Sequence, residues 1–466
     1  MKSLLDEVVV NDPQQPFRNE IGNVIVLPAP NGLIVYGPDG FPEKLLIDEA
    51  VTYLIRELHI KTIETNHIMM YYKNGVYKEG GDELCKQLLI KFFHGLITNQ
   101  NESIIDRKIL DEIINKIIYL TPVKLQDFDA DIALINMKNG IYNWQTGEFH
   151  KHTPDYLSSI QIPIEYRKHA KCPTIEMVLK DCVYNKYYIL CLEFIAYLLY
   201  RGYDIQKAII LFGPGRTGKS WYLDLCKNFV GLENCSTESM QALSHDKFAA
   251  ANLFRKLLNE CGDLDSEMIR ATGTFKKLSS KDVITVQKKF QDSYQMANFA
   301  KMLFASNMMP PTNDKTTGFI RRVIIIPFTR IFREDEYDEK RIRCNEDKIE
   351  LSGLFNLVIP YLKPLLERMK FTNNPSNEEV AALYNSASNT VESFAEERIY
   401  EEPTSFISKE RLYNTYVLYC RQHFCIAAPR NAFSREFAKI ANYVKPGNRL
   451  NTSNKRVPVW LYCNFI

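Results

Sequence analysis

Short, unbroken apolar runs recur through the middle of the chain: Ala208-Ile209-Ile210-Leu211-Phe212, Leu257-Leu258, Met302-Leu303-Phe304-Ala305 and Val323-Ile324-Ile325-Ile326. Runs of this length without polar alternation predict strands buried on both faces, the habit of a sheet covered by helices on each side. The flanking regions read differently. Residues 1–120 alternate strand-like stretches, Gly22 to Pro28 and Ile68 to Tyr72, with an amphipathic helical stretch from Asp82 to Leu96. Ile135 to Tyr142 reads as a strand and turn continuing through Thr153-Pro154 to Ile160–Ile164, and helices follow from about Thr174 to Arg201. A helical extension is expected at 350–370, and the polar stretch Thr372 to Asn377 marks a boundary or surface loop. The tail offers a helix from Ile407 with Ser408 as its cap, a second from Pro429 to Tyr443, and a hairpin from Arg449 to Trp460 with a polar tip. The expected fold is therefore α/β: a mixed α+β N-terminal domain at 1–120, a helical lead-in at 121–204, an α/β core at 205–372 and a small C-terminal domain at 373–466.

Composition narrows the class without naming a partner. At 466 residues there is room for two to four domains and a large core. Hydrophobic residues make up 45%, charged residues 24%, and the net charge is only +2, so any polyanion must be met by local clusters of Lys and Arg. The 11 cysteines are scattered, odd in number and free of any Cys-x-x-Cys, which argues against zinc and for buried thiols in a reducing cytosol. Met1-Lys2-Ser3-Leu4-Leu5-Asp6-Glu7 turns acidic before a signal-peptide core can form. The apolar stretch around Tyr188 to Tyr200 carries Glu193 and is too short for a bilayer. A cytoplasmic protein without a membrane partner is expected. Asp129 and Asp131 could hold a metal, but without a third acid or a His they read better as a solvated turn.

The chemistry concentrates at Gly213-Pro214-Gly215-Arg216-Thr217-Gly218-Lys219-Ser220, between the first buried run and a helical stretch beginning at Lys219. This is a phosphate-binding loop in the context its chemistry requires. Gly213, Gly215 and Gly218 tolerate the dihedrals and close approach that let backbone N–H groups, with those of Arg216 and Thr217, surround phosphate oxygens. The helix adds its positive end, Lys219 reaches the β- and γ-phosphates, and the Ser220 hydroxyl completes Mg²⁺ coordination. Two fixed glycines with Lys and Ser/Thr arise by chance on the order of 0.02 times in such a length, so ATP binding is the expectation.

Three downstream features add to it. Leu257-Leu258-Asn259-Glu260-Cys261-Gly262-Asp263-Leu264-Asp265 is a short strand ending in acids. Asp263 is the choice for the metal-side acid, with Glu260 and Asp265 competing because strand ends are uncertain by a few residues. Lys301 to Asn307 is a strand ending in an amide, where Asn307 orients the lytic water or senses the γ-phosphate, or merely starts the turn before Pro310-Pro311. Arg321 and Arg322 then precede another buried strand, and a guanidinium from a neighbouring subunit would stabilise the charge of phosphoryl transfer.

The order of phosphate loop, acid-ended strand, Asn-ended strand and paired arginines resembles the superfamily 3 helicases, a branch of the AAA+ ATPases. It is most similar to the helicase part of phage- and plasmid-type primase-helicases, over most of residues 130–370, with Asn136 to Asp181 resembling that family's upstream segment. The resemblance implies that Phe275 to Phe290 forms a hairpin pointing into the channel of a hexamer and gripping single-stranded DNA. Ile284, Val286 and then Phe290 to Tyr294 independently suggest two strands with Lys288 and Lys289 near the tip, where they are either DNA contacts or ordinary solvated charges, as are Lys276 and Lys277. Nothing in 1–120 matches the primase acids and His of many relatives, so primer synthesis is not expected. The architecture looks like stand-alone replication initiator helicases of mobile elements, such as staphylococcal islands and cassettes.

The tail resembles a winged helix, with Arg430, Arg435, Lys439, Arg449, Lys455 and Arg456 able to face duplex origin DNA; a packing or protein-binding role is the alternative. The reading is an ATP- and Mg²⁺-dependent DNA helicase acting as a homo-oligomeric ring. A nucleotide-switched origin binder that recruits another helicase is the competing reading, and a metabolic kinase a third.

Overall fold

The computed structural model describes residues 8–11, 25–28, 32–264, 268–269, 272–289, 292–312, 314, 316–336, 338–422, 425, 427–450 and 455–466. The chain packs as two compact units, residues 1–161 and 162–466.

In the first unit the helix Ile47–Leu58 buries Ala50, Val51, Leu54 and Leu58, a stripe at three- and four-residue spacing. It shares one apolar cluster with the helices Gly81–Phe93 and Arg107–Leu120. A four-stranded sheet runs in the order Val76–Glu79, Met69–Lys73, Lys61–Ile63, Pro122–Val123, and a three-stranded meander follows over Leu134–Met137, Gly140–Asn143 and Phe149–His150. Residues 121–161, read from sequence as the start of a lead-in, thus pack with this unit. Asp129 accepts hydrogen bonds from Ser158 Oγ at 2.9 Å, Ser159 N at 3.0 Å and Ser159 Oγ at 2.8 Å, while Asp131 accepts from Ala133 N at 2.9 Å. The Asp129 carboxylate is thereby committed to the chain itself. No strand forms at residues 160–164, where Ile160, Ile162 and Ile164 are buried singly in an irregular segment.

The second unit opens with α1 (Pro173–Cys182) and α2 (Asn185–Leu198), separated because Val183 and Tyr184 are extended. The elements of the core that position the site are, in chain order, β1 (Ala208–Phe212), α3 (Lys219–Val230), β2 (Cys235–Ser236), β3 (Leu258–Cys261), α4 (Gly273–Leu278), the hairpin β4 (Val283–Gln287) and β5 (Ser293–Ala297), β6 (Lys301–Ser306), α5 (Thr317–Ile320) and β7 (Val323–Pro327), with two short helices, Met240–His245 and Lys247–Ala251, between β2 and β3. Five of these strands form one parallel sheet in the order β2-β3-β6-β1-β7. Every residue of β1, β6 and β7 is buried, each large apolar side chain contributing about 1.5–3 kcal/mol. Pro327, which cannot donate to a ladder, is tolerated at the end of β7 because β7 is an edge strand.

The order of strands positions the site. β6 is inserted between β1 and β3, so the carboxyl ends of all three share one edge, the edge at which α/β sheets bind ligands. Lys301, inside the apolar pattern of β6, is fully buried; its ammonium donates to Tyr200 O at 2.5 Å and Phe299 O at 2.8 Å and lies 4.3 Å from the Tyr197 ring centre. It ties α2 to the amino end of the sheet.

Beyond the sheet come α6 (Lys348–Arg368) and α7 (Asn377–Ser388). By length and composition α6 could cross a membrane, but here Leu354, Phe355, Val358, Leu362 and Leu365 are buried and the helix packs on α2. Glu193 of α2 accepts from Arg368 at 2.6 Å and Thr372 N at 2.7 Å, locking the end of α6 in place. The C-terminal part runs α8 (Thr390–Arg398), β8 (Ile399–Ser408), α9 (Lys409–Gln422), α10 (Arg430–Ile440), β9 (Lys445–Leu450) and β10 (Arg456–Phe465). Its sheet has the order β8-β10-β9, and its core centres on Tyr416 stacked on Phe433 at 4.4 Å. Ser408 caps α9 as the sequence predicts, accepting from Arg411 N at 3.2 Å.

Candidate nucleotide site

The loop between β1 and α3 is shaped by contacts that only glycine permits at two positions. Gly213 has φ 152°, and a Cβ there would lie 2.0 Å from Phe328 O. Gly218 has φ 90°, and a Cβ there would lie 2.4 Å from Cys182 Sγ. Space around Gly215 is open, and it is exposed with Arg216 at the loop's crest. Gly218 is the N-cap of α3 and supplies no side-chain cap, so the N–H groups of the first turn remain aimed out of the helix.

Lys219 lies within this cradle, 7% exposed, donating to Gly213 O at 2.7 Å and Pro214 O at 2.6 Å. Thr217 closes the turn by donating to Pro214 O at 3.0 Å. Burial pushes the Lys219 ammonium down to about 8, with the Asp263 charge acting in the opposite direction. Ser220, the next residue of α3, is exposed. These features fit a polyphosphate: a glycine-only cradle, a helix N-terminus without a side-chain cap, and a partly desolvated lysine coupled to an acid.

The competing acids separate. Asp263 is exposed beyond the end of β3 and electrostatically coupled to Lys219, whereas Glu260 is 8% exposed and lies 3.5 Å from Lys227, two turns down α3. Asp265 lies outside the described residues. Asn307 directly follows β6, next to the loop, because Phe212 pairs with Ser306 and Gly213 N donates to Ser306 O at 3.3 Å. The turn after Asn307 is built by Ser306, whose hydroxyl accepts from Met308 N at 3.2 Å. Asn307 is half-buried at this edge. The structure thus brings Lys219, Ser220, Asp263 and Asn307 to one edge of the sheet.

The paired arginines sit elsewhere and differ from each other. Because Ala208 pairs with Val323, both lie at the amino edge of the sheet, about 16 Å of strand away from the loop. Arg322 is 9% exposed and donates to Lys276 O at 3.1 Å and Gly318 O at 2.8 Å, so its guanidinium joins α4 to α5. Arg321 is exposed. It neighbours Lys207, which is pushed down to about 8 by burial first and then by the charges of Lys370 and Arg321.

The expected DNA contacts also separate. Lys288 and Lys289 are exposed at the turn of the β4–β5 hairpin, whose inner face buries Ile284, Val286 and Met296; Phe290 and Gln291 lie outside the described residues. Lys277 is exposed. Lys276 is engaged inside the fold, ion-paired with Asp314 and donating to Thr316 Oγ1 at 3.4 Å. Arg430, Arg435 and Lys439 are exposed on α10, and Arg449, Lys455 and Arg456 on the β9–β10 hairpin, whose tip at 451–454 lies outside the described residues.

One part of the site gave no signal in the sequence. The segment after β7 runs over the β1–α3 loop: Phe328 N donates to Phe212 O at 2.7 Å, Phe332 N to Arg216 O at 2.9 Å, and Arg216 pairs with Glu334 at 3.0 Å. Arg330 anchors it, pairing with Asp181 of α1 at 3.0 Å and Glu336 at 2.9 Å. Its place follows from β7 lying beside β1, which periodicity alone does not reveal.

Two families of known proteins match the chain. Residues 48–183 match a family described as D5 N terminal like, and residues 211–322 match a family of unknown function, DUF5906. Among solved structures, the apo structure of the NrS-1 C-terminal region (305–718) is 12% identical, with a TM-score of 0.49 over 89% of this chain and 98% of that one. The A form apo structure of the NrS-1 C-terminal region is 11% identical, with a TM-score of 0.46 over the same shares.

Proposed function

We propose that this chain is an ATP-driven DNA helicase and replication initiator of a phage or mobile genetic element, of the superfamily 3 AAA+ type, working as a homo-oligomeric ring. The D5 N-terminal-like match supports its place among phage primase-helicase-type replication proteins. The observation that carries the activity is the insertion of β6 between β1 and β3, which puts Asn307 beside the loop holding Lys219 and in line with Asp263.

The loop N–H groups of Gly213 to Gly218 and the first turn of α3 bind the phosphates, and Lys219 neutralises the β- and γ-oxygens. Ser220 and Asp263 would hold Mg²⁺, which would supply positive charge against the phosphate oxygens. Asn307 orients the attacking water. Arg321 is too far from its own loop to take part there, so its charge serves the nucleotide of the next copy, in a head-to-tail contact that closes into a ring. Lys207 and Lys370 make that edge cationic, and none of the three is paired with a carboxylate among the described residues.

The Lys288–Lys289 turns of the ring's hairpins would line its channel and meet one phosphate backbone. In the C-terminal part, the order helix, strand, two helices and two-stranded hairpin supports the winged-helix reading, in which α10 would be the element for duplex origin DNA. The test is the ATPase and unwinding of a forked duplex by Lys219→Ala: both should fall about 100-fold or more. Unwinding at the wild-type rate would contradict the assignment.

A further inference from the structure

α7 joins the C-terminal part to the ATPase core, and one of its side chains touches both elements that the proposed chemistry uses. Its start is fixed by reciprocal bonds, Ser376 N to Glu379 Oε2 at 2.7 Å and Glu379 N to Ser376 Oγ at 3.1 Å. Val380, Tyr384 and Ala387, at i, i+4 and i+7, form a buried stripe against the core. Tyr384 donates its hydroxyl to Pro310 O at 2.6 Å, three residues after Asn307. The edge of its ring meets Phe319 at 5.6 Å and 86°. Phe319 belongs to α5, and Arg321 N bonds back to Thr317 O at 3.0 Å, so the arginine's backbone moves with that helix.

The other end of α7 leads toward the DNA-facing surface. Asn389 alone separates it from α8, and Thr390, the first residue of α8, shares a 2.6 Å hydrogen bond with Tyr416 Oη. The same hydroxyl accepts from Ala428 N at 2.9 Å, two residues before α10 begins. A continuous chain of bonds and packed helix therefore runs from the base of α10 to Tyr384.

We infer that Tyr384 is a positioning residue for ATP hydrolysis, setting the loop after Asn307 and the helix of Arg321 together, and that duplex bound at α10 acts on the active site through it. The inference rests on the proposed roles of Asn307 and Arg321. Tyr384→Phe removes the hydroxyl and keeps the ring; Phe319→Leu removes the ring contact from the other side. A misplacement of about 1 Å can cost about 100-fold in rate, so each variant should lower kcat about ten-fold with KM for ATP unchanged, and should lose the stimulation of ATPase by a forked DNA duplex.

If ATPase in the wild type is absent, or survives Lys219→Ala, the reading of the site falls and this inference with it. If ATPase depends on Lys219, but kcat and the duplex response of a folded Tyr384→Phe protein match the wild type, the inference alone is wrong and Tyr384 only packs the core. Should Tyr384→Phe not fold, Phe319→Leu decides by the same two readouts.

Discussion

At the residue scale the proposed ATP site turns on Lys219. The ammonium is the form that binds phosphate, and burial has already brought its proton loss down to about 8. Phosphate raises that value again, so binding takes up a proton where the free lysine is partly neutral. ATP affinity should be level below about pH 7.5 and then fall as pH rises through 8, by up to about ten-fold per unit, until the complex itself deprotonates. Calorimetry at pH 8.5 in buffers of different ionisation heat should report proton uptake; an affinity flat from pH 7 to 9.5 would contradict this state of Lys219. Much of the site was legible at this scale, since Gly213, Gly218 and Lys219 carry their chemistry in their identities. The neighbours Arg321 and Arg322 were not separable in sequence, because the turn into β7 decides which is committed to the carbonyls of Lys276 and Gly318. Lys276 was misleading for a related reason: its partner Asp314 is distant in sequence and hidden from any local pattern.

At the element scale the β4–β5 hairpin is the part that distinguishes a translocating enzyme from a nucleotide switch. Its alternation of buried Ile284 and Val286 with exposed Val283 and Thr285 fixes one face on the core and leaves Lys288 and Lys289 at the exposed turn. Replacing both by Ala should weaken single-strand binding and abolish single-strand stimulation of ATPase. The salt slope of binding should drop by about 0.7 for each phosphate contact removed. Unchanged stimulation in titrations with an oligonucleotide would favour the switch. Apolar runs located β1, β3, β6 and β7 within a residue or two, because strands covered on both faces need no polar alternation. Strand order was beyond them. That β6 lies between β1 and β3, and that the segment after β7 covers the β1–α3 loop, are long-range results of packing the sheet.

At the scale of the whole molecule, the claim is a shared site. The loop of Lys219 lies at the carboxyl edge of the parallel sheet and Arg321 at the amino edge, and in the proposed ring each edge is completed by a second copy. Mixing inactive subunits tests this most directly. A Lys219→Ala subunit keeps a working arginine edge and an Arg321→Ala subunit keeps a working phosphate loop, so mixed assemblies regain sites at which the two intact edges meet. Each variant alone should have little ATPase, and mixing should restore a substantial fraction of it, highest near equal proportions. No restoration in assemblies shown by light scattering to contain both variants would contradict the shared site.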